Sequence, residues 1–140
     1  MARSGRFMIC LDTTFLVDLW RYQRHPGHPT KKVMEDHAGE VIAVSVTAAG
    51  EFLEGAACVS KERLNETLHF LRKFELGEIS LETAKTYAVI VADLRKAGLL
   101  KGASKADLWI AAWAHQHRAP LATRNTRHFE HVPDLVLIRY

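Results

Sequence analysis

Three carboxylates in this chain occupy places where a carboxylate has to be explained. Asp12 interrupts MICLDTTFLVDLW between two apolar stretches. Glu51 lies in VTAAGEFLEG among small and apolar neighbours, and Asp107 leads the apolar helical pattern of GASKADLWIAAWA. Taken singly, each has an ordinary reading. Asp12 can cap a helix that begins at Thr13, Glu51 can solvate an early helical turn, and Asp107 can form a capping box with Ser104 or meet the helix dipole. Together they raise a different question, because like charges held close are costly unless something positive lies among them. A hard divalent cation, Mg²⁺ or Mn²⁺, takes oxygen ligands, keeps waters and can activate one against a phosphodiester.

The elements around these acids give the grouping its sense. Phe7 to Leu11 is a short apolar run, the pattern of a strand buried on both faces. A helical pattern starts at Thr13 and stops before HPGHP, where Pro26, Gly27 and Pro29 break any helix. A short helix over 30–37 closes at Gly39, and VIAVSV, 41–46, reads as a second strand. Helices are expected over about 48–58 and 61–74, then from Leu81, capped by Ser80, to Ala97 before Gly98. Ser104 caps a further helix to about His117, and 120–123 and 135–138 read as a third and fourth strand. Strands alternating with helices predict an α/β domain with a largely parallel sheet, its helix-rich middle inserted between the second and third of those strands. In such a sheet ligands bind beyond the carboxyl ends of the strands, which is where Asp12 falls.

Composition narrows the class without naming it. With 140 residues, 48% hydrophobic and 25% charged, the chain reads as one globular domain over 1–140. Residues 1–6 read as an N-terminal extension, since the first ordered pattern begins at Met8. The net charge of +3 is compatible with a polyanionic partner and does not require one. Cys10 and Cys58 form no CxxC pair, no cleavable leader is apparent and no run approaches the ~20 apolar residues of a membrane helix, so a cytoplasmic protein with no membrane association is expected.

Four segments in order, ICLDTTFLVDL, VTAAGEFLEGA, GASKADLWIAAWA and PLATRNTRHFEHVPDLVLI, resemble the successive motifs of the PIN domain, and within it the VapC-type toxins of bacterial toxin–antitoxin pairs. The resemblance spans nearly the whole chain. It implies a three-layer α/β/α fold on a mainly parallel sheet of four or five strands. It also implies an Mg²⁺- or Mn²⁺-dependent endoribonuclease acting on RNA. The partners it implies are a second copy in a homodimer and a VapB-like antitoxin in a toxin–antitoxin hetero-oligomer. Carried over by position, Asp12, Glu51 and Asp107 match the family's first three acids, and all three become expected metal ligands. The final acidic position falls on Asn125, whose amide can hold a water but adds no charge and cannot act as a base. Three formal negative charges favour one tightly held ion over two.

Other residues are read beside these. Thr13 and Thr14 can offer a hydroxyl or backbone N–H to Asp12 or to a phosphate, or simply cap the first turn. Thr123 can orient a ligand or water. Arg124 and Arg127 can meet RNA phosphates or form a solvated basic loop. Asp18 and Glu54 read as surface charges or as groups standing behind the acids, Asp93 as a solvated face. Gly50 and Gly55 would permit close packing around Glu51. The HxxH of His25 and His28 and the HxH of His115 and His117 lack the company of a zinc site. Trp109 and Trp113 suit core or dimer packing. A phosphatase using Asp12 as nucleophile would want an acid two residues on, where this chain has Thr14. An antitoxin-binding PIN-like dimer with weak or lost cleavage stays open through Asn125.

Overall fold

The structure is a computed structural model that describes residues 7–100 and 102–140; the expected extension at 1–6 lies outside them. Strand β1 (Met8–Leu11) runs through the middle of the molecule, with Ile9, Cys10 and Leu11 buried. Its continuous apolar run is what a strand covered on both faces requires. Beside it lie β2 (Val41–Ser45) and β4 (Leu121–Ala122), flanked by β3 (Glu75–Gly77) and β5 (Leu137–Ile138) in the order β3-β2-β1-β4-β5. Every pairing is parallel, and the sheet is flanked by helices, the α/β class expected. The helices are α1 (Thr13–Arg21), α2 (Pro29–Asp36), α3 (Val46–Ala57), α4 (Lys61–Leu71), α5 (Leu81–Lys96) and α6 (Lys105–Gln116).

The middle of the chain departs from expectation. The helix-rich middle also contains a strand that the sequence did not locate: β3 lies between α4 and α5 and pairs Glu75, Leu76 and Gly77 with Ala43, Val44 and Ser45. Three residues with a single apolar side chain carry no readable alternation, so only backbone pairing reveals this edge strand. Helix α4 accordingly ends at Leu71 rather than Phe74, and Phe74 turns into the core against Phe70, ring centroids 5.6 Å apart. Helix α3 begins at Val46, earlier than its β-branched residue suggests, because the Ser45 hydroxyl accepts from the Ala48 N–H at 3.3 Å and caps it. Gly50 and Gly55 are not close-packing positions, since a Cβ on either meets nothing within 4 Å; the tight glycine is Gly77, against Trp113.

Trp109, Trp113 and His28 have structural work. Trp109 stacks on Tyr87 at 4.1 Å, joining α6 to α5, and buried Trp113 donates from Nε1 to the Glu78 carbonyl at 3.1 Å. His28 Nδ1 accepts from the Thr30 N–H and caps α2. Helix α5 ends as its glycine predicts: Gly98 has φ +70° and the Leu99 N–H reaches the Leu94 carbonyl at 2.8 Å. Burial pushes the Cys10 thiol up to about 12, whereas Cys58 is exposed. A thiol reagent at pH 8 is therefore expected to modify Cys58 in the native protein and leave Cys10 untouched until it unfolds. Stoichiometric labelling of both without denaturant would contradict this burial.

Candidate active site

Asp12 is the first residue beyond β1, and it extends the ladder by donating its N–H to the Ala122 carbonyl at 3.1 Å. Its side chain then turns into the molecule, where it is only 2% exposed. One oxygen, Oδ1, accepts from the Phe15 N–H at 2.9 Å and from the Thr14 hydroxyl at 2.8 Å. The other, Oδ2, accepts from the Thr123 hydroxyl at 2.6 Å. Asp12 is therefore a true helix cap, but capping uses one oxygen and leaves a second held by a residue 111 positions away. Burial raises its pKa, the hydrogen bonds from Thr123, Phe15 and Thr14 pull it back, and the charge of Asp107 pushes it up again.

Glu51 projects from the second turn of α3 and accepts a short hydrogen bond from the Thr13 hydroxyl. Consecutive threonines thus split their work, Thr13 to Glu51 and Thr14 to Asp12. Asp107, in the first turn of α6, closes the expected capping box: its N–H donates to Ser104 Oγ at 3.1 Å and its Oδ2 accepts from the Ser104 N–H at 3.2 Å. Its negative charge is the smallest of the causes that raise the Asp12 pKa. Asp12 is buried, Glu51 and Asp107 half-buried.

The turn after β4 supplies the fourth side. Asn125 precedes a 3₁₀ turn (Thr126–His128) and donates its backbone N–H to Thr123 Oγ1 at 2.9 Å, so Thr123 ties it to Asp12. Its amide side chain makes no capping bond. Arg124, half exposed, also has a partner within the fold: its guanidinium lies 3.2 Å from both Asp18 oxygens, and its backbone N–H donates to Thr14 Oγ1 at 3.3 Å. Asp18 is no surface charge; it is 1% exposed and also accepts from the Tyr140 hydroxyl at 2.7 Å. Arg127 and Glu54 are exposed, as is Asp93.

Sequence reasoning missed this Asp18–Arg124–Tyr140 cluster because nothing local in the sequence relates residues 106 and 122 positions apart. Burial and the Asp18 carboxylate hold the Tyr140 phenol well above its usual range, so it serves as a donor. Arg124→Ala would leave Asp18 buried with one neutral partner. We expect a loss of about 2–3 kcal/mol, below that of a fully buried pair because Arg124 is half exposed. Urea unfolding reads this directly, and a loss under ~0.5 kcal/mol would remove the pair from the account.

Which group could these oxygens hold? Among the described residues no three acidic, imidazole or thiol groups form a ready-made metal cage. The donor chemistry nevertheless fits a hard cation: two carboxylates repel across the edge, one is desolvated, and hydroxyls fix their orientation. An Mg²⁺-type ion needs one or two protein carboxylates and keeps its waters. Asp12 and Asp107 would be the holders, while Glu51 is tied to this region only through the Thr13 hydroxyl. A separate hollow of about 840 Å³ lies between α1 and α4, lined by Trp20, Phe70, His69, Arg72 and Lys73, and none of these acids contributes to it.

The chain is similar to known proteins along nearly its whole length. The family model for the PIN domain matches residues 9–135. The chain is 31% identical to Ribonuclease VapC1 of Methanocaldococcus jannaschii over 94% of its length and 86% of that protein. The crystal structure of VapBC2 from Rickettsia felis, bound to a DNA fragment from its promoter, superposes with TM-score 0.82 at 27% identity, covering 96% of this chain and 99% of that one. A toxin–antitoxin complex from Klebsiella pneumoniae gives TM-score 0.70 at 27% identity, covering 94% and 99%.

Proposed function

The chain belongs to the PIN domain family, and from that premise we propose that it is a ribonuclease toxin of the VapC type, dependent on Mg²⁺ or Mn²⁺ and restrained by a VapB-like antitoxin. The single observation that carries the reading is the placement of Asp12. It is a carboxylate buried at the carboxyl end of the central strand, oriented by Thr14 and Thr123 and within reach of the Asp107 charge. Relatives named ribonuclease, and a solved toxin–antitoxin complex with the same fold, support the class of activity and of partner.

The chain's own residues divide the work as follows. Asp12 and Asp107 would hold the ion, with Glu51 the third candidate ligand; when bound, the ion would supply positive charge at the phosphodiester and lower the pKa of water. Thr14 and Thr123 keep the Asp12 carboxylate in one orientation, so that no reorganisation is needed when the phosphate arrives. Thr13 does the same for Glu51. Asn125 offers an amide that can position a water but not take its proton. Arg127, exposed on the same turn, is free to meet RNA phosphates, whereas Arg124 is engaged by Asp18.

Purified protein incubated with RNA and Mn²⁺ tests this reading. Cleavage is expected with the ion and is expected to stop on chelation with EDTA. The second reading is an antitoxin-binding dimer without cleavage, favoured by the neutral Asn125 and by a hollow that stands apart from the acids. Tight antitoxin binding with no metal-dependent cleavage would select it.

A further inference from the structure

The sequence draws no attention to His128, which sits at the end of the 3₁₀ turn. Its Nδ1 is buried and, among the described residues, is the one buried side-chain nitrogen or oxygen without a hydrogen-bond partner. Yet it lies 2.9 Å from Asp107 Oδ2. The two atoms are as close as a hydrogen-bonded pair without being aligned as one. Native proteins rarely leave a buried nitrogen in that state, and an ion among the groups is one recognised reason.

Geometry supports that reason. Two donors occupying adjacent octahedral positions, each about 2.1 Å from one ion, stand about 3 Å apart. Their lone pairs then point at the ion rather than at each other. This is the separation and the misalignment seen between His128 Nδ1 and Asp107 Oδ2. Both groups are held in place independently. Asp107 is fixed by its capping box with Ser104; the His128 N–H donates to the Asn125 carbonyl at 3.0 Å, and buried Phe129 anchors the turn.

We infer that His128 Nδ1 is a ligand of the divalent ion next to Asp107, making the site a mixed nitrogen–oxygen one that prefers Mn²⁺ to Mg²⁺. The preference follows from the donor types. Mg²⁺ favours oxygen and water, whereas first-row transition ions gain from an imidazole. His128 also offers a nitrogen donor on the very turn where Asn125 brings no charge. The inference rests on the metal-dependent reading above and says which ion this chain's own residues select.

The test uses the whole chain and Mn²⁺ as the probe. Free Mn²⁺ is followed by electron paramagnetic resonance during titration, and pulsed measurements look for ¹⁴N coupling from a directly bound imidazole. Wild-type protein is expected to show that coupling. His128→Gln should abolish it and weaken Mn²⁺ binding about tenfold or more, with Mg²⁺ binding, measured by competition, changed less than about twofold. His128→Asp, an oxygen donor at the same turn, should lack the coupling and bind Mg²⁺ at least as tightly as wild type. Mn²⁺ binding that depends on Asp107 but shows no ¹⁴N coupling would overturn the inference alone, leaving His128 as an ion-pair partner of Asp107. No Mn²⁺ binding to wild-type protein would overturn the metal-dependent reading with it.

Discussion

Asp12→Asn is expected to reduce RNA cleavage by at least about a hundredfold while leaving the protein as stable as before or more so. The two halves of this result have one cause. Asp12 is desolvated and feels the charge of Asp107, so ionising it costs the folded state more than the hydrogen bonds from Thr123, Phe15 and Thr14 return. The amide keeps an acceptor for the Phe15 N–H, preserves the volume and removes the repulsion. It also removes the negative charge with which an ion would be held. The sign with pH can be worked out. A raised native pKa means that the folded state binds more protons than the unfolded one between the ordinary aspartate value, 3.8, and the raised value. Stability contributed by Asp12 is therefore intact below 3.8 and is lost as pH climbs through the native pKa. The variant should gain most over wild type at neutral pH and least near pH 3.5, as paired denaturation curves would show. A variant equally active, or destabilised by several kcal/mol at pH 7, would contradict this assignment.

Gly77→Ala is expected to be among the most damaging single substitutions for stability, although it adds only one methyl group. A Cβ built on Gly77 would stand 2.0 Å from Trp113 Cζ2, 2.3 Å from Cε2 and 2.7 Å from Cη2. The indole has nowhere to retreat: it is buried, its Nε1 is bonded to the Glu78 carbonyl, and its ring stacks on His117 at 3.9 Å. Overpacking of this kind costs about 3 kcal/mol or more when the neighbour is rigid. For a chain of this size that corresponds to a fall of roughly 10 °C in Tm. Because Gly77 pairs with Ser45, the cap of α3, the disturbance should also reach the helix that carries Glu51. Replacing Trp113 by Phe in the same molecule should recover part of the loss. An unchanged Tm for Gly77→Ala would mean that β3 is free to move away from α6.

The acids were legible in the sequence and their supports were not, for a physical reason. Asp12 and Glu51 interrupt apolar patterns and Asp107 leads one, so a local reading notices each, while only the resemblance joins them into one set. Thr14 is two residues from Asp12 and was equally accessible. The bond from Thr123 to Asp12 joins two strand ends through parallel pairing, and no periodicity encodes which strands become neighbours. Asp18 lies on the buried side of α1 with Phe15 and Leu19, where a carboxylate is not expected; only the arrival of Arg124 and Tyr140 makes its burial tolerable. The strand at Glu75–Gly77 was invisible because an edge strand of three residues is specified by its partner β2, not by its own side chains. Gly50 and Gly55 misled because a glycine beside a functional acid suggests crowding, whereas both lie on an exposed helix surface.

The central claim is that Asp12 and Asp107 act as one ion-holding unit. Cleavage rates of Asp12→Asn, Asp107→Asn and the double variant, measured on one RNA at the lowest Mn²⁺ concentration that saturates wild type, test it most directly. Groups that serve a single ion are grossly non-additive, since losing either already loses the ion. The account predicts that the double variant is no slower than the slower single variant. Losses that multiply, with each substitution costing its full factor in the presence of the other, would contradict it.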